Sequence, residues 1–132
     1  MILLIVLNVS VRLDIQLSSQ AAAPLAGAPL EVVDALREHT LPTDLIVTDD
    51  QGLADQAGRD TPPNLVDTSA TRIASGYLTA STIEMDIVDY HVRAVLFATG
   101  RLDRLPGFRR WVEAHFPKEI YFGKGYALYL GS

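Results

Sequence analysis

DLIVTDD, residues Asp44–Asp50, is the stretch on which the fold turns. Leu45, Ile46 and Val47 form an apolar run too short to give a helix a buried face, and Asp49, Asp50 and Gly52 close it. A short apolar run bounded by turn residues reads as a buried strand, here Asp44–Thr48. Helices are signalled on both sides. Upstream, Pro29 can open a helix at its first position, where the missing N–H costs nothing. Leu30, Val33 and Leu36 then share a face, while Glu31 and Asp34 lie early and Arg37 and His39 late, as the helix dipole prefers. Leu41-Pro42 ends that helix, and downstream Gly52–Ala57 reads as a short one stopped at Gly58.

The same alternation continues to the C-terminus. Thr61-Pro62-Pro63 interrupts the chain, and Asn64–Val66 reads as a brief strand ending at Asp67. Asp67-Thr68-Ser69 offers capping oxygens to a short helix stopped by Gly76. The next helix has two start signals: Ser81 and Glu84 at capping-box spacing, and Leu78 with Ile83 stapling around a Thr79 cap. It carries Ile83, Ile87 and Tyr90 and yields to Val92–Ala98 (VRAVLFA), a second clear strand. Pro106 opens a last helix with Phe108, Trp111, Val112, His115 and Phe116 on one stripe, and Pro117 stops it. Lys118–Phe122 and Tyr126–Leu130 flank Gly123-Lys124-Gly125 as a hairpin. Strands separated by helices predict a layered α/β fold, with a mainly parallel sheet flanked by helices and a C-terminal antiparallel β-hairpin.

Residues 29–132 are thus expected to form a single α/β domain, within the roughly 100–150 residues at which domains cluster. Residues 1–28 stand apart as an apolar segment and linker. Met1–Leu7 reads MILLIVL, far short of the roughly 20 residues a spanning helix needs and without the basic start of a signal peptide. Leu7, Val9, Val11, Leu13, Ile15 and Leu17 then alternate with polar residues, the period of a strand. This segment reads either as a membrane-helix remnant or as an edge strand, and residues 7–17 could join a partner's sheet in a homodimer. Ala21–Pro29 follows as linker.

Composition removes several function classes. The absence of cysteine excludes disulfides, thiolate metal sites and a cysteine nucleophile. Sixteen acidic residues against eleven basic ones, a net charge of -5, argue against a nucleic-acid partner. Arg101, Arg104, Arg109 and Arg110 cluster, but among Asp103 and Glu113, as on a solvated helix face.

The most suggestive chemistry is acidic. Asp49 and Asp50 follow one strand and Asp67 the next, at the carboxyl ends where open α/β sheets bind ligands. Three carboxylates there could hold Mg²⁺, with Thr99 nearby and Lys118 or Lys124 supplying a cation, as in a phosphoacceptor domain. Asp50 and Asp67 are too close in sequence for the βαβ unit such a domain needs between them, and turn or cap roles explain the same residues. Arg59, Arg72 and Arg101 are candidates for anion binding or structural ion pairs, Arg59 and Arg72 with Asp67 or Asp50. Gly123-Lys124-Gly125 lacks the rest of a phosphate loop, and His39, His91 and His115 lack metal-ligand spacing. Ser69 and Ser75 have no nucleophile-elbow context, and Trp111 reads as core. No catalytic set and no cofactor emerges.

From about Pro29 onward, the order of segments resembles a known module. The pieces are EHTLP (Glu38–Pro42), IVTDD (Ile46–Asp50), AGR (Ala57–Arg59), PPNLVDTS (Pro62–Ser69) and RIASGYLT (Arg72–Thr79). AVLFATGRL (Ala94–Leu102), LPGF (Leu105–Phe108) and GKGYALYL (Gly123–Leu130) complete the set. Together they resemble the C-terminal extramembrane domain of polytopic glycosyltransferases that use lipid-linked sugars, the family of dolichyl-phosphate-mannose protein mannosyltransferases and the aminoarabinose transferase. The resemblance implies a place on the extracytoplasmic face of the bacterial inner membrane, with MILLIVL as the tail of a last membrane helix. It also implies a partner, the membrane portion of such an enzyme, in cis or in trans. That family's catalytic acidic residues lie in a loop between early membrane helices, and no residue of this chain matches them. The resemblance therefore implies a non-catalytic accessory domain.

Overall fold

The computed structural model describes residues 28–131; the membrane-remnant and edge-strand readings of the N-terminal segment lie outside them. Helix α1 (Ala28–His39) leads to strand β1 (Ile46–Thr48) and helix α2 (Gln51–Ala57). A 3-10 turn at Pro63–Leu65 and helices α3 (Ala70–Ala74) and α4 (Ala80–Asp89) precede β2 (Ala94–Phe97). A second 3-10 turn at Leu102–Arg104, helix α5 (Phe108–His115) and the hairpin β3 (Lys118–Gly123) and β4 (Tyr126–Leu130) complete the described chain.

The four strands form one mixed sheet in the order β1-β2-β4-β3. β1 and β2 are parallel, with Ile46 opposite Ala94 and Thr48 opposite Leu96. β4 runs antiparallel to both β2 and β3. The expectation of a mainly parallel sheet is corrected here, and the antiparallel hairpin is as expected. The tight turn through Gly123-Lys124-Gly125, with φ of 84°, 54° and 85°, reverses the chain, and it is the returning arm, β4, that docks on β2, so that pairing is antiparallel. The expected strand at Asn64–Val66 is also corrected. Pro63, with φ already fixed for a helical turn, suits its first position, where the missing N–H costs nothing, and Leu65 is buried from that turn instead.

Helices pack on both faces of the sheet, and the strand residues divide between them by the period of two. Ile46, Ala94, Leu96, Leu128 and Leu130 join Val32, Val33 and Leu36 of α1 and Leu53, Ala54 and Ala57 of α2. Val47, Val95, Phe97, Ala127 and Tyr129 join Ile83 and Ile87 of α4 and Phe108 and Val112 of α5. A strand buried on both faces needs consecutive apolar residues, which is why β2 reads AVLF rather than alternating. The helix ends follow local chemistry. Ser69 caps α3, and α4 is capped by a Thr79–Thr82 box, with Ser81 and Glu84 already inside the helix. Gly58 ends α2 in the left-handed conformation at φ 71°.

Phe97, Phe108 and Tyr129 form the aromatic centre of the second cluster. The Phe97 ring lies 5.8 Å from Phe108 and 5.6 Å from Tyr129, each pair contributing about 0.5–1.5 kcal/mol beyond burial. Arg109 lies across it, its guanidinium carbon 4.4 Å above the Phe97 ring and its Nη1 2.7 Å from Asp103 Oδ2. The expected solvated arginine face is thus divided: Arg104 and Arg110 are exposed, while Arg101 and Arg109 are half-buried and anchored.

The Tyr129 hydroxyl accepts from Arg109 Nε at 3.3 Å and donates to Glu113 at 3.2 Å. Burial raises the Tyr129 pKa above its ordinary 10.0, against the lowering effect of Arg109. Above pH 10 the unfolded tyrosine loses its proton while the folded one keeps it, so the folded state binds more protons and stability falls as pH rises. Urea unfolding from pH 8 to 11 is expected to show this alkaline loss, and Tyr129→Phe to remove part of it.

Candidate functional site

The carboxyl ends of the parallel pair β1 and β2 open into a cleft of about 450 Å³, lined by Asp49, Asp50, Gln51, Asp67, Thr99 and Arg101 together with Val66 and Thr68. This is where a parallel pair leaves room for a ligand. The fold brings Asp49, Asp50, Asp67, Thr99 and Arg101 to one place. Lys118, Lys124, Arg59 and Arg72 do not line it.

Within the cleft the carboxylates have different roles. Asp49 is 1 % exposed. Its Oδ1 accepts from the backbone N–H of Ala98 at 2.8 Å and Thr99 at 3.0 Å, and its Oδ2 from Leu102 N–H at 3.0 Å. Its own carbonyl accepts from the Thr99 hydroxyl at 3.3 Å and from Arg101 at 3.2 Å. Asp49 therefore fastens the end of β1 to the loop after β2 and has both carboxylate oxygens engaged. Asp50 caps α2, its Oδ1 accepting from Leu53 N–H at 3.4 Å. Asp67 closes a turn by accepting from Ser69 N–H at 2.9 Å, and the buried Thr68 hydroxyl donates to the Thr48 carbonyl at 3.1 Å. Among the described residues, no group of three His, Asp or Glu side chains is placed to hold a metal ion. Asp50 and Asp67 line the cleft together with the hydroxyl of Thr99, the amide of Gln51 and the guanidinium of Arg101. That arrangement can hydrogen-bond a polar, hydroxyl-bearing ligand, but it pairs no nucleophile with a base.

The three candidate arginines bind carbonyls rather than carboxylates. Arg59 is 7 % exposed and meets five acceptors. Nε donates to the Thr40 hydroxyl at 2.8 Å, Nη1 to the carbonyls of Ala57 and Gly58, and Nη2 to those of Thr40 and Arg37. The cation thus sits where the C-termini of α1 and α2 converge, and the negative ends of two helices compensate its charge. Arg72 Nη1 donates to the Asp67 carbonyl at 2.7 Å, and its guanidinium carbon stands 4.3 Å above the Tyr77 ring. The pairing expected with the carboxylates of Asp67 or Asp50 is replaced by backbone contacts, because unpaired helix and turn carbonyls lie closer.

Trp111 is partly buried against the core, as its helical spacing suggested, and His115 stacks on it with ring centroids 4.2 Å apart. His39 and His91 are exposed at the ends of α1 and α4. Sequence reasoning did not single out the roles of Asp49 and Arg59 as fastenings. The available signals were an aspartate ending one strand, a Thr-Gly-Arg turn ending its parallel neighbour, and an arginine just after a helix-stopping glycine.

Asp49→Asn places an amide against three N–H donors, of which at least one loses its acceptor, and is expected to cost about 2–3 kcal/mol. Asp50→Asn, at a cap where the two residues rank alike, is expected to cost less than about 0.5 kcal/mol. Arg59→Met removes the donors of five acceptors, three of them in buried bonds, and is expected to cost about 3 kcal/mol, with Arg59→Lys recovering only part because an ammonium has three donors. Urea denaturation of the four variants measures all of these values. Comparison of the chain with protein-family models, curated proteins and solved structures finds no match.

Proposed function

We propose that this domain is a non-catalytic, extracytoplasmic accessory domain of a membrane glycosyltransferase that uses polyprenyl-phosphate-linked sugars. Its contribution is a rigid surface that stabilises the membrane portion or helps to position acceptor or lipid-linked donor. The supporting observation is how the segments that carry the resemblance meet. Asp49 of IVTDD takes the N–H groups of Ala98, Thr99 and Leu102 in AVLFATGRL, and Tyr129 of GKGYALYL packs on Phe97 between them. These segments are joined through backbone contacts and core packing, so what they have in common with the family is a scaffold. The polar cleft at their junction suits a hydroxyl-rich group such as a sugar. No helix among the described residues is long and apolar enough to cross a membrane, so on this reading the membrane portion is supplied by another segment or chain.

The chain by itself is expected to transfer no sugar from polyprenyl-phosphate donors to an acceptor; measurable transfer would overturn the reading. Calorimetric titration with Mg²⁺ is expected to give no saturable heat. Saturable binding that disappears in Asp50→Asn and Asp67→Asn would instead favour a Mg²⁺-dependent phosphate-ligand domain acting through that cleft.

A further inference from the structure

Helix α4 does not keep its outward side polar. Ile83 and Ile87 are buried, as an amphipathic helix requires, yet Met85 and Val88 on the other side are 63 % and 62 % exposed. They wall a groove of about 360 Å³ between α4 and α5, lined by Ser81, Glu84, Met85, Val88 and Asp89 and, from α5, by Trp111. Ser81, Met85 and Val88 recur at i, i+4 and i+7, so this wall follows α4 for two turns, about 10 Å. The Trp111 ring is fixed in advance. It packs against the core, stacks on His115 with centroids 4.2 Å apart and lies nearly parallel to Phe108 at 6.5 Å. A rigid tryptophan beside an adaptable methionine is the composition of a recognition centre. The groove shares no lining residue with the polar cleft.

The charges select what fits. Glu84 and Asp89 border the apolar strip, and among the described residues no basic side chain lines the groove. A second copy meeting this face with its own would set carboxylate against carboxylate, and an anionic lipid surface would be repelled in the same way. Residues 1–27 contain a single basic residue, Arg12, and so offer no pair of cations. Glu84 and Asp89 are five residues apart, about 7.5 Å along the axis. Two lysines or arginines one helical turn apart reach both through their flexible stems. We propose that the α4–α5 groove docks a cationic amphipathic helix of a partner chain. The helix seats its apolar side chains on Met85, Val88 and Trp111 and its basic ones on Glu84 and Asp89. Such docking is independent of sugar transfer and of the cleft.

Trp111 is the only tryptophan in the chain, so its emission reports on this groove. The probe is a tryptophan-free helical peptide with leucines at i, i+4 and i+7 flanked by lysines. Titrated into the full chain, it is expected to shift Trp111 emission to the blue, saturably, as the ring loses water. The same peptide with glutamates in place of the lysines is expected to bind at least about tenfold more weakly. Glu84→Lys with Asp89→Lys is expected to reverse that preference. Asp34→Lys with Glu38→Lys, the same change of charge at exposed positions of α1, is expected to leave it as it was. Met85→Ser with Val88→Ser, at two exposed positions, is expected to abolish the shift while far-ultraviolet circular dichroism stays unchanged. No saturable shift with the lysine peptide, equal binding of the two peptides, or a preference that Glu84→Lys with Asp89→Lys fails to reverse would overturn the proposal. So would a blue shift on raising the concentration of the chain alone, which would assign the groove to a second copy. A blue shift with anionic phospholipid vesicles and no peptide would overturn it in favour of a membrane.

Discussion

One carboxylate joins the two halves of this structure. Asp49 ends β1 and receives three backbone N–H groups from the turn after β2, so the only parallel pairing in the described sheet is closed at its end by a charge-assisted clasp. Parallel strands have no tight turn to set their register, and here the aspartate supplies it. Everything on the carboxyl side of the sheet follows from that. Thr99 and Arg101 are drawn to the Asp49 carbonyl, Leu102 is directed into the core, and the cleft takes its shape from the loops thus held. The same residue is therefore a poor candidate for chemistry. Its oxygens are engaged in holding backbone.

Arg59 illustrates the complementary case of a buried cation with no carboxylate among its partners. Removing a guanidinium from water is costly, and an ion pair is the common compensation. Here the last carbonyls of two helices, which have no partners of their own within the helix, provide the acceptors instead. The arrangement satisfies three groups at once: the cation, the end of α1 and the end of α2. It also makes Arg59 a determinant of how α1 and α2 pack, since its planar donor fork meets acceptors from both.

Much of the local structure was legible because it depends on local chemistry. Pro29, Gly58, Ser69, Thr79 and the Gly123–Gly125 turn announce helix and hairpin ends, and the double-sided burial of β2 is written in VRAVLFA. What was not legible depends on tertiary partners. The apolar pair Leu65-Val66 after Asn64 suits a strand or a 3-10 turn alike, and the two prolines before it decide in favour of the turn. Which arm of a hairpin docks on β2 leaves no mark in the hairpin itself, so the antiparallel pairing of β4 with β2 could not be read, although the hairpin could. The acidic cluster was legible as a cluster, and the fold does gather it into one cleft. Its roles were not, because the partners of Asp49 lie far along the chain and are backbone atoms, which every sequence supplies equally.

The separation of those partners has a consequence for the order of assembly. The bonds from Asp49 to Ala98, Thr99 and Leu102 close loops of 49, 50 and 53 residues, whereas β3 and β4 meet across a turn of a few residues. Loop closure costs chain entropy before any contact offsets it, so local pairings form early and distant ones late. The C-terminal hairpin is thus placed to form first and to serve as the surface on which β2, and then β1, are laid down. The aspartate that defines the finished cleft would then be the last fastening to close, governing how long the native state survives more than how quickly it is reached.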